Sequence, residues 1–144
     1  MALDYFLYSS TLTQPLSYDG LRGLLDTSRD NNARSGLTGC LHLEGHTVIQ
    51  YLEGEMAALD ETIARIRRDP RHTDFVQIER GALEQRYFEG WTMALVEIAT
   101  LSLRDLLETP AHEVPDVRKI KADDLITLLS ANASYLREQP SIVA

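Results

Sequence analysis

The stretch LDYFLYS, Leu3 to Ser9, places large apolar side chains on both faces of any strand it forms, with Phe6 and Tyr8 pointing one way and Tyr5 and Leu7 the other. VIQYLEG, Val48 to Gly54, repeats the pattern: Val48, Gln50 and Leu52 oppose Ile49 and Tyr51. A sheet built on such strands is stable only if each of its faces is covered by another layer. The chain must therefore supply two covers, and its elements can be read with that demand in mind.

Ser17 can cap a helix in which Leu21, Leu24 and Leu25 share a face and which runs toward Arg29 or Asn31, although Gly20 and Gly23 weaken it slightly. Leu37 to Glu44 and Thr47 to Glu53 flank Gly45 and His46 as the arms of a hairpin. Met56, Leu59, Ile63 and Ile66 form a second helical stripe, ended by Pro70. Phe75 to Glu79 and Trp91 to Ile98 read as two further strands. This order predicts an α+β fold: a ferredoxin-like β-α-β-β-α-β sheet with an added fifth strand and both helices on one face.

The second face falls to a C-terminal helical tail. It comprises a short helix near Leu101 to Leu107, a loop through Pro110 and Pro115, and a helix near Ala122 to Arg137 with Leu125, Leu128, Leu129 and Leu136 on one side. These leucines are expected to cover the open sheet face or to meet another subunit, and their exposed face is the candidate contact surface for a partner. The division expected is residues 1–98 for a ligand-binding domain and 99–144 for the tail. The latter is short for a further catalytic or DNA-binding domain, and a partner in trans or a homo-oligomer is expected.

Composition narrows the class. Hydrophobic residues at 44% and charged residues at 25% describe a globular chain. No stretch approaches the roughly 18 apolar residues of a membrane span, and the N-terminus has no basic region of a signal peptide. The single Cys40 excludes an internal disulfide and a cysteine-rich metal site, which fits a reducing cytoplasm; no metal site is expected. A net charge of -8 argues against nucleic-acid binding.

Gln50 is the polar exception in its strand, and burying its amide without partners costs about 1 to 3 kcal/mol. If the first and third strands are neighbours, Tyr8 and Gln50 face the same helix-covered side and can satisfy each other. Asn31 and Asn32 end the first helix, where asparagine commonly caps or turns. RIRRDPRH, Arg65 to His72, gathers four arginines and a histidine, which suit a solvated helix face, a phosphate or a polar ring edge. Trp91 and Met93, two apart on the last strand, read first as core.

Together these residues resemble one family, the BLUF domains, flavin-binding sensors of blue light. The matching text is FLYSS with Tyr8 and Ser10, SRDNNARSGLTG with Ser28, Asn32 and Gly39, VIQYLEG with Gln50, RDPRHTD with Arg71 and His72, and FEGWTM with Trp91 and Met93. The five motifs run in collinear order over about residues 3–98. The resemblance implies FAD as cofactor, with its ring between the two helices, and no enzymatic turnover. It implies that Asn32 bonds the polar ring edge, that Arg71 and His72 approach the pyrimidine side, that Asn31 contacts the ribityl chain, and that Ser10, Ser28 and Leu52 line the ring or stand behind it.

It further implies that light draws an electron from Tyr8 while the phenolic proton passes through Gln50, leaving rearranged hydrogen bonds and a red-shifted flavin. Trp91, Met93 and Ser10 would relay the change to the tail. Where some members carry tryptophan this chain has Tyr51, expected on the sheet face opposite Gln50. Two other readings fit the same fold: an enzyme similar to acylphosphatases, whose anion loop is replaced here by TLTQP, and a light-independent small-molecule sensor or oligomerisation module.

Overall fold

A computed structural model describes residues 2–15, 17–90, 94–96, 102–110, 113 and 116–138. Its elements follow the expected order: β1 (Leu3–Leu12), α1 (Tyr18–Ser35), β2 (Thr38–Glu44), β3 (Thr47–Glu55), α2 (Met56–Arg67), β4 (His72–Leu83) and β5 (Ala94–Val96). The tail adds α3 (Leu103–Leu106), a 3-10 turn (Val117–Lys119) and α4 (Ala122–Glu138). Ser17 caps α1 as expected, its hydroxyl accepting from the Gly20 amide at 3.0 Å. The helix ends only at Ser35, where Gly36 takes the left-handed conformation (φ 71°) that closes a helix without a Cβ penalty.

The five strands are ordered β4-β1-β3-β2-β5. The first four are antiparallel neighbours, and the short β5 runs parallel to β2, completing the expected ferredoxin-like sheet with its fifth strand. Tyr8 stands directly opposite Gln50 in the β1–β3 ladder. The β1–β4 ladder shifts register on each side of Tyr8, between Leu7 and Tyr8 and between Ser9 and Thr11. β4 accordingly extends well beyond the five residues expected of it, bending to bring Phe75 onto Tyr8, the re-aiming that bulges commonly perform beside functional residues.

Each face has its own core. Phe6, Tyr8, Val48 and Leu52 pack under Leu21 and Leu25 of α1 and Leu59 and Ile63 of α2. On the other face Leu7, Cys40, Ile49 and Tyr51 meet Phe88, Leu103, Val117, Leu125, Leu128 and Leu129. Of the two covers expected for the leucine face, the chain's own sheet is the one observed: Leu125, Leu128 and Leu129 are 0 to 1% exposed there, which corrects the expectation that they stand exposed to a partner, while the Leu136 side chain lies outside the described residues. The second apolar strand face is thus covered by leucines of the same chain. Glu44 fastens the tail to β2, accepting from the backbone amides of Leu103 (2.9 Å) and Arg104 (3.0 Å). Burial opposes its charge, but bonds from His42 and these two amides outweigh that and hold its carboxyl below the usual range.

Gly39 lies where β2 comes close to β3, and a Cβ there would collide with the carbonyl oxygen of Tyr51. Gly39→Ala is expected to lower the unfolding free energy by about 1 to 3 kcal/mol through forced strand separation, read as a lower urea midpoint. A midpoint equal to that of the parent would contradict the close approach.

Candidate functional site

On the helix-covered face, residues of α1, α2 and the sheet line a cleft of about 260 Å³. Along α1 the inward side chains change character: Leu21 and Leu25 give way at helical spacing to Ser28, Asn31 and Asn32. Tyr8 and Ser10 of β1 and Val48, Gln50 and Leu52 of β3 form the floor. Thr62, Arg65 and Ile66 of α2, followed by Asp69, Arg71 and His72, form the opposite wall. A single concavity thus gathers Tyr8, Ser10, Ser28, Asn31, Asn32, Gln50, Leu52, Arg71 and His72 from four separated motifs. Trp91 and Met93 lie outside the described residues.

The floor carries a buried polar pair. The Tyr8 hydroxyl donates to Oε1 of Gln50, and both residues are at least nine-tenths buried. The Gln50 carboxamide also carries two N–H donors, so it can accept from the phenol and donate elsewhere at once. The Tyr8 ring stacks on Phe75 at 4.6 Å between centroids and tilts toward His72 at 6.3 Å. Burial, aided by the negative charge of Asp69, pushes the Tyr8 pKa well above its ordinary value of 10.0, so the phenol stays protonated throughout the neutral range.

The rim at the end of α2 is an ion pair. Asp69 accepts from the Arg71 backbone amide (2.9 Å) and from its guanidinium Nε (3.0 Å) and terminal nitrogen (2.5 Å). That bonding holds the Asp69 carboxyl below its usual range and fixes one edge of the guanidinium beside the cleft. Nε2 of His72 lies 2.6 Å from the Ile66 carbonyl oxygen, pinning the ring to the end of α2. Asn31 accepts from Arg34 at 2.8 Å near the surface. Within the lining, Ser10 Oγ and Arg65 Nε are buried with no protein partner among the described residues. Unsatisfied buried polar atoms are costly, and here they border a concavity with an apolar body and polar walls, which suits a flat, heteroatom-edged ring system such as a flavin.

Sequence reasoning missed Asp69, whose signal was its place two residues before Arg71 across a proline turn. It also passed over Glu53, a charged residue inside an apolar strand. Among the described residues there is no group of three histidine, cysteine, aspartate or glutamate side chains able to hold a metal ion, and no helix long and apolar enough to cross a membrane.

The buried titrating groups predict an alkaline sensitivity. Burial raises the pKa of Cys40 from 9.0 to about 12 and lifts those of Tyr8 and, together with the nearby Glu53 charge, Tyr51 above 10.0. A raised folded-state pKa contributes stability that is complete below the unfolded value and is lost as pH rises toward the folded one. The urea midpoint is therefore expected to hold up to about pH 9 and then fall, each such group adding a slope of up to about 1.4 kcal/mol per pH unit. A midpoint that is flat to pH 11 would contradict the burial of these groups.

Comparison with known proteins adds the relatives. A family model described as "BLUF: Sensors of blue-light using FAD" matches residues 3–94. Photoactivated adenylate cyclase subunit beta of Euglena gracilis is 30% identical over 135 residues, covering 90% of this chain; the chain spans 16% of that relative's length. Among solved structures, the dark state of BlrB, a BLUF protein, superposes with a TM-score of 0.72 at 25% identity, over 93% of this chain and 96% of that one. The photo-activated state of BlsA superposes with a TM-score of 0.77 over 90% of this chain and 94% of that one, and at 20% identity it speaks for the fold alone.

Proposed function

This chain belongs to the BLUF family, sensors of blue light using FAD, and from that premise we propose that it is a photoreceptor whose switch is the Tyr8–Gln50 pair. The observation that carries the reading is the buried hydrogen bond from the Tyr8 phenol to the Gln50 carboxamide on the floor of the cleft. A redox-inert core would have no need of a phenol and an amide there, since two apolar groups of the same shape would satisfy the site at lower cost.

The flavin would be FAD, held by Asn32 and Gln50 at its polar edge, with Arg71 and His72 on the pyrimidine side and Ser28, Asn31 and Leu52 along the ring and its chain. The polar α1 face and the two unpartnered lining atoms support this fit. When bound and excited by blue light, the flavin supplies a strong oxidant. Tyr8 would be the electron donor to that oxidant and its O–H, already bonded to Gln50, would pass the proton toward the carboxamide; electron and proton would then return to Tyr8, so that no net redox change remains. Gln50 would be left, by rotation or tautomerisation, with its donor and acceptor ends engaging different partners. Each exchanged bond is worth about 1 kcal/mol, enough to bias an element with two arrangements. Asp69 keeps Arg71 in place, and Leu52 and Val48 exclude water from the floor.

Residues 1–98 would form the sensing unit and residues 99–144 the tail that receives the change, with Trp91, Met93 and Ser10 as relay. The chain itself would turn over no substrate, delivering its signal to an effector protein or through its own assembly. Relatives that are photoactivated adenylate cyclases support the idea of a coupled effector. The single buried thiol, Cys40, supports a reducing, cytoplasmic setting.

The test is the visible spectrum of the purified protein in the dark, under blue light and during dark recovery, with chromatography of the released cofactor. A flavin spectrum that shifts red and returns, with FAD released, is the expected result. A flavin without the shift would remove the Tyr8–Gln50 switch and keep the cofactor. A colourless protein that takes up no FAD would return the cleft to a light-independent ligand.

A further inference from the structure

Glu53 is wholly buried (0% exposed) on the tail-facing side of β3, three residues from Gln50. A buried carboxylate costs several kcal/mol unless its oxygens are fully bonded, and those of Glu53 accept three bonds. They come from the backbone amides of Tyr87 (2.8 Å) and Phe88 (2.8 Å) and from the hydroxyl of Thr38 (2.7 Å). Arg86 closes the knot, donating to the Thr38 hydroxyl (2.8 Å), the Glu53 carbonyl (3.2 Å) and the Gly36 carbonyl (2.7 Å). The start of β2, β3 and the segment after β4 therefore meet at one carboxylate, and Arg86 ties the end of α1 to them.

The knot joins the two faces of the sheet. Gln50 and Glu53 share a strand but point to opposite sides, and the Phe88 held by Glu53 is 1% exposed within the tail-side core that includes Leu103, Leu125, Leu128 and Leu129. The Phe88 ring lies 5.2 Å from that of Tyr51, the immediate neighbour of Gln50. We propose that Glu53 is a positioning residue of the light response, transmitting displacement of β3 to the 84–90 segment and, through Phe88, to the core beneath α3 and α4. Hydrogen bonds at 2.8 Å weaken steeply with stretch and misalignment, so a shift of β3 below about 1 Å is enough to release one of the two amides. Packed cores convert such small shifts into discrete rearrangements.

The inference rests on the Tyr8–Gln50 reading, and the experiment separates the two. Amide exchange and amide resonances of the FAD-loaded full chain are measured in the dark and under continuous blue light, with the visible spectrum recorded on the same sample. The amides of Tyr87 and Phe88 are expected to shift and to exchange about five- to tenfold faster in the light, as loss of one hydrogen bond requires, with those of Leu125, Leu128 and Leu129 following. Glu53→Gln, which puts an N–H donor where an acceptor stood, is expected to keep the red shift and lose the α4 response. A red shift with unchanged Tyr87 and Phe88 amides would overturn the role of Glu53, as would a full α4 response in Glu53→Gln. If that variant fails to fold, the parent's amides decide alone. Absence of any red shift in the parent would remove the premise, and the proposal with it.

Discussion

Tyr8→Phe is expected to abolish the light-induced red shift while leaving flavin binding intact. Phenylalanine keeps the ring that stacks on Phe75 and removes only the hydroxyl that donates to Gln50. Gln50 Oε1 then loses its phenol donor in a buried site, at a cost of about 1 to 3 kcal/mol, a tolerable share of the stability usual for a domain of this size. The variant should therefore fold and remain yellow, but with neither an electron donor nor a transferable proton on that side of the cleft. The measurement is the light-minus-dark visible difference spectrum. A difference spectrum of parental size would show that another group drives the switch, and the floor pair would revert to a core hydrogen bond.

Leu129→Ala tests the other face of the sheet, where the effect expected is on stability. Leu129 is 0% exposed and packs with Leu125, Leu128 and Leu103 against Leu7, Ile49 and Tyr51. Removing a fully buried leucine side chain deletes its transfer free energy and leaves a cavity, together costing about 2 to 5 kcal/mol. Urea denaturation followed by circular dichroism should show a midpoint lowered accordingly, in one cooperative transition for sheet and tail. A loss below about 1 kcal/mol, or a separate early transition of the helices, would mean that the tail is an appendage on the sheet and not half of its core.

Much of this was legible in the residues alone, because hydrophobic period and cap chemistry act locally. Leu21, Leu24 and Leu25 behind Ser17 specify a helix wherever they occur, and LDYFLYS and VIQYLEG specify strands needing cover on both faces. From those constraints came the element order and the pairing of the first and third strands. The juxtaposition of Tyr8 with Gln50 came from the same place, since strand alternation puts both on one face once the strands are neighbours. The close approach of β2 to β3 at Gly39, by contrast, appears only in the folded chain.

What the tertiary structure decided are the choices between partners that are chemically equivalent in sequence. An amphipathic helix with Leu125, Leu128 and Leu129 can bury its face against its own sheet or another molecule, and the fold selects the former by setting Leu7, Cys40, Ile49 and Tyr51 beneath it. The register shifts flanking Tyr8 depend on how β4 accommodates an extra residue against β1, which no local pattern encodes. Asp69 and Glu53 look like any acidic residue until the fold places an arginine beside the one and two backbone amides beside the other. Periodicity acts between residues a few positions apart and is written in the chain. Pairing of charges and donors across 34 or 35 positions, as from Glu53 to Tyr87 and Phe88, exists only once the chain has closed on itself.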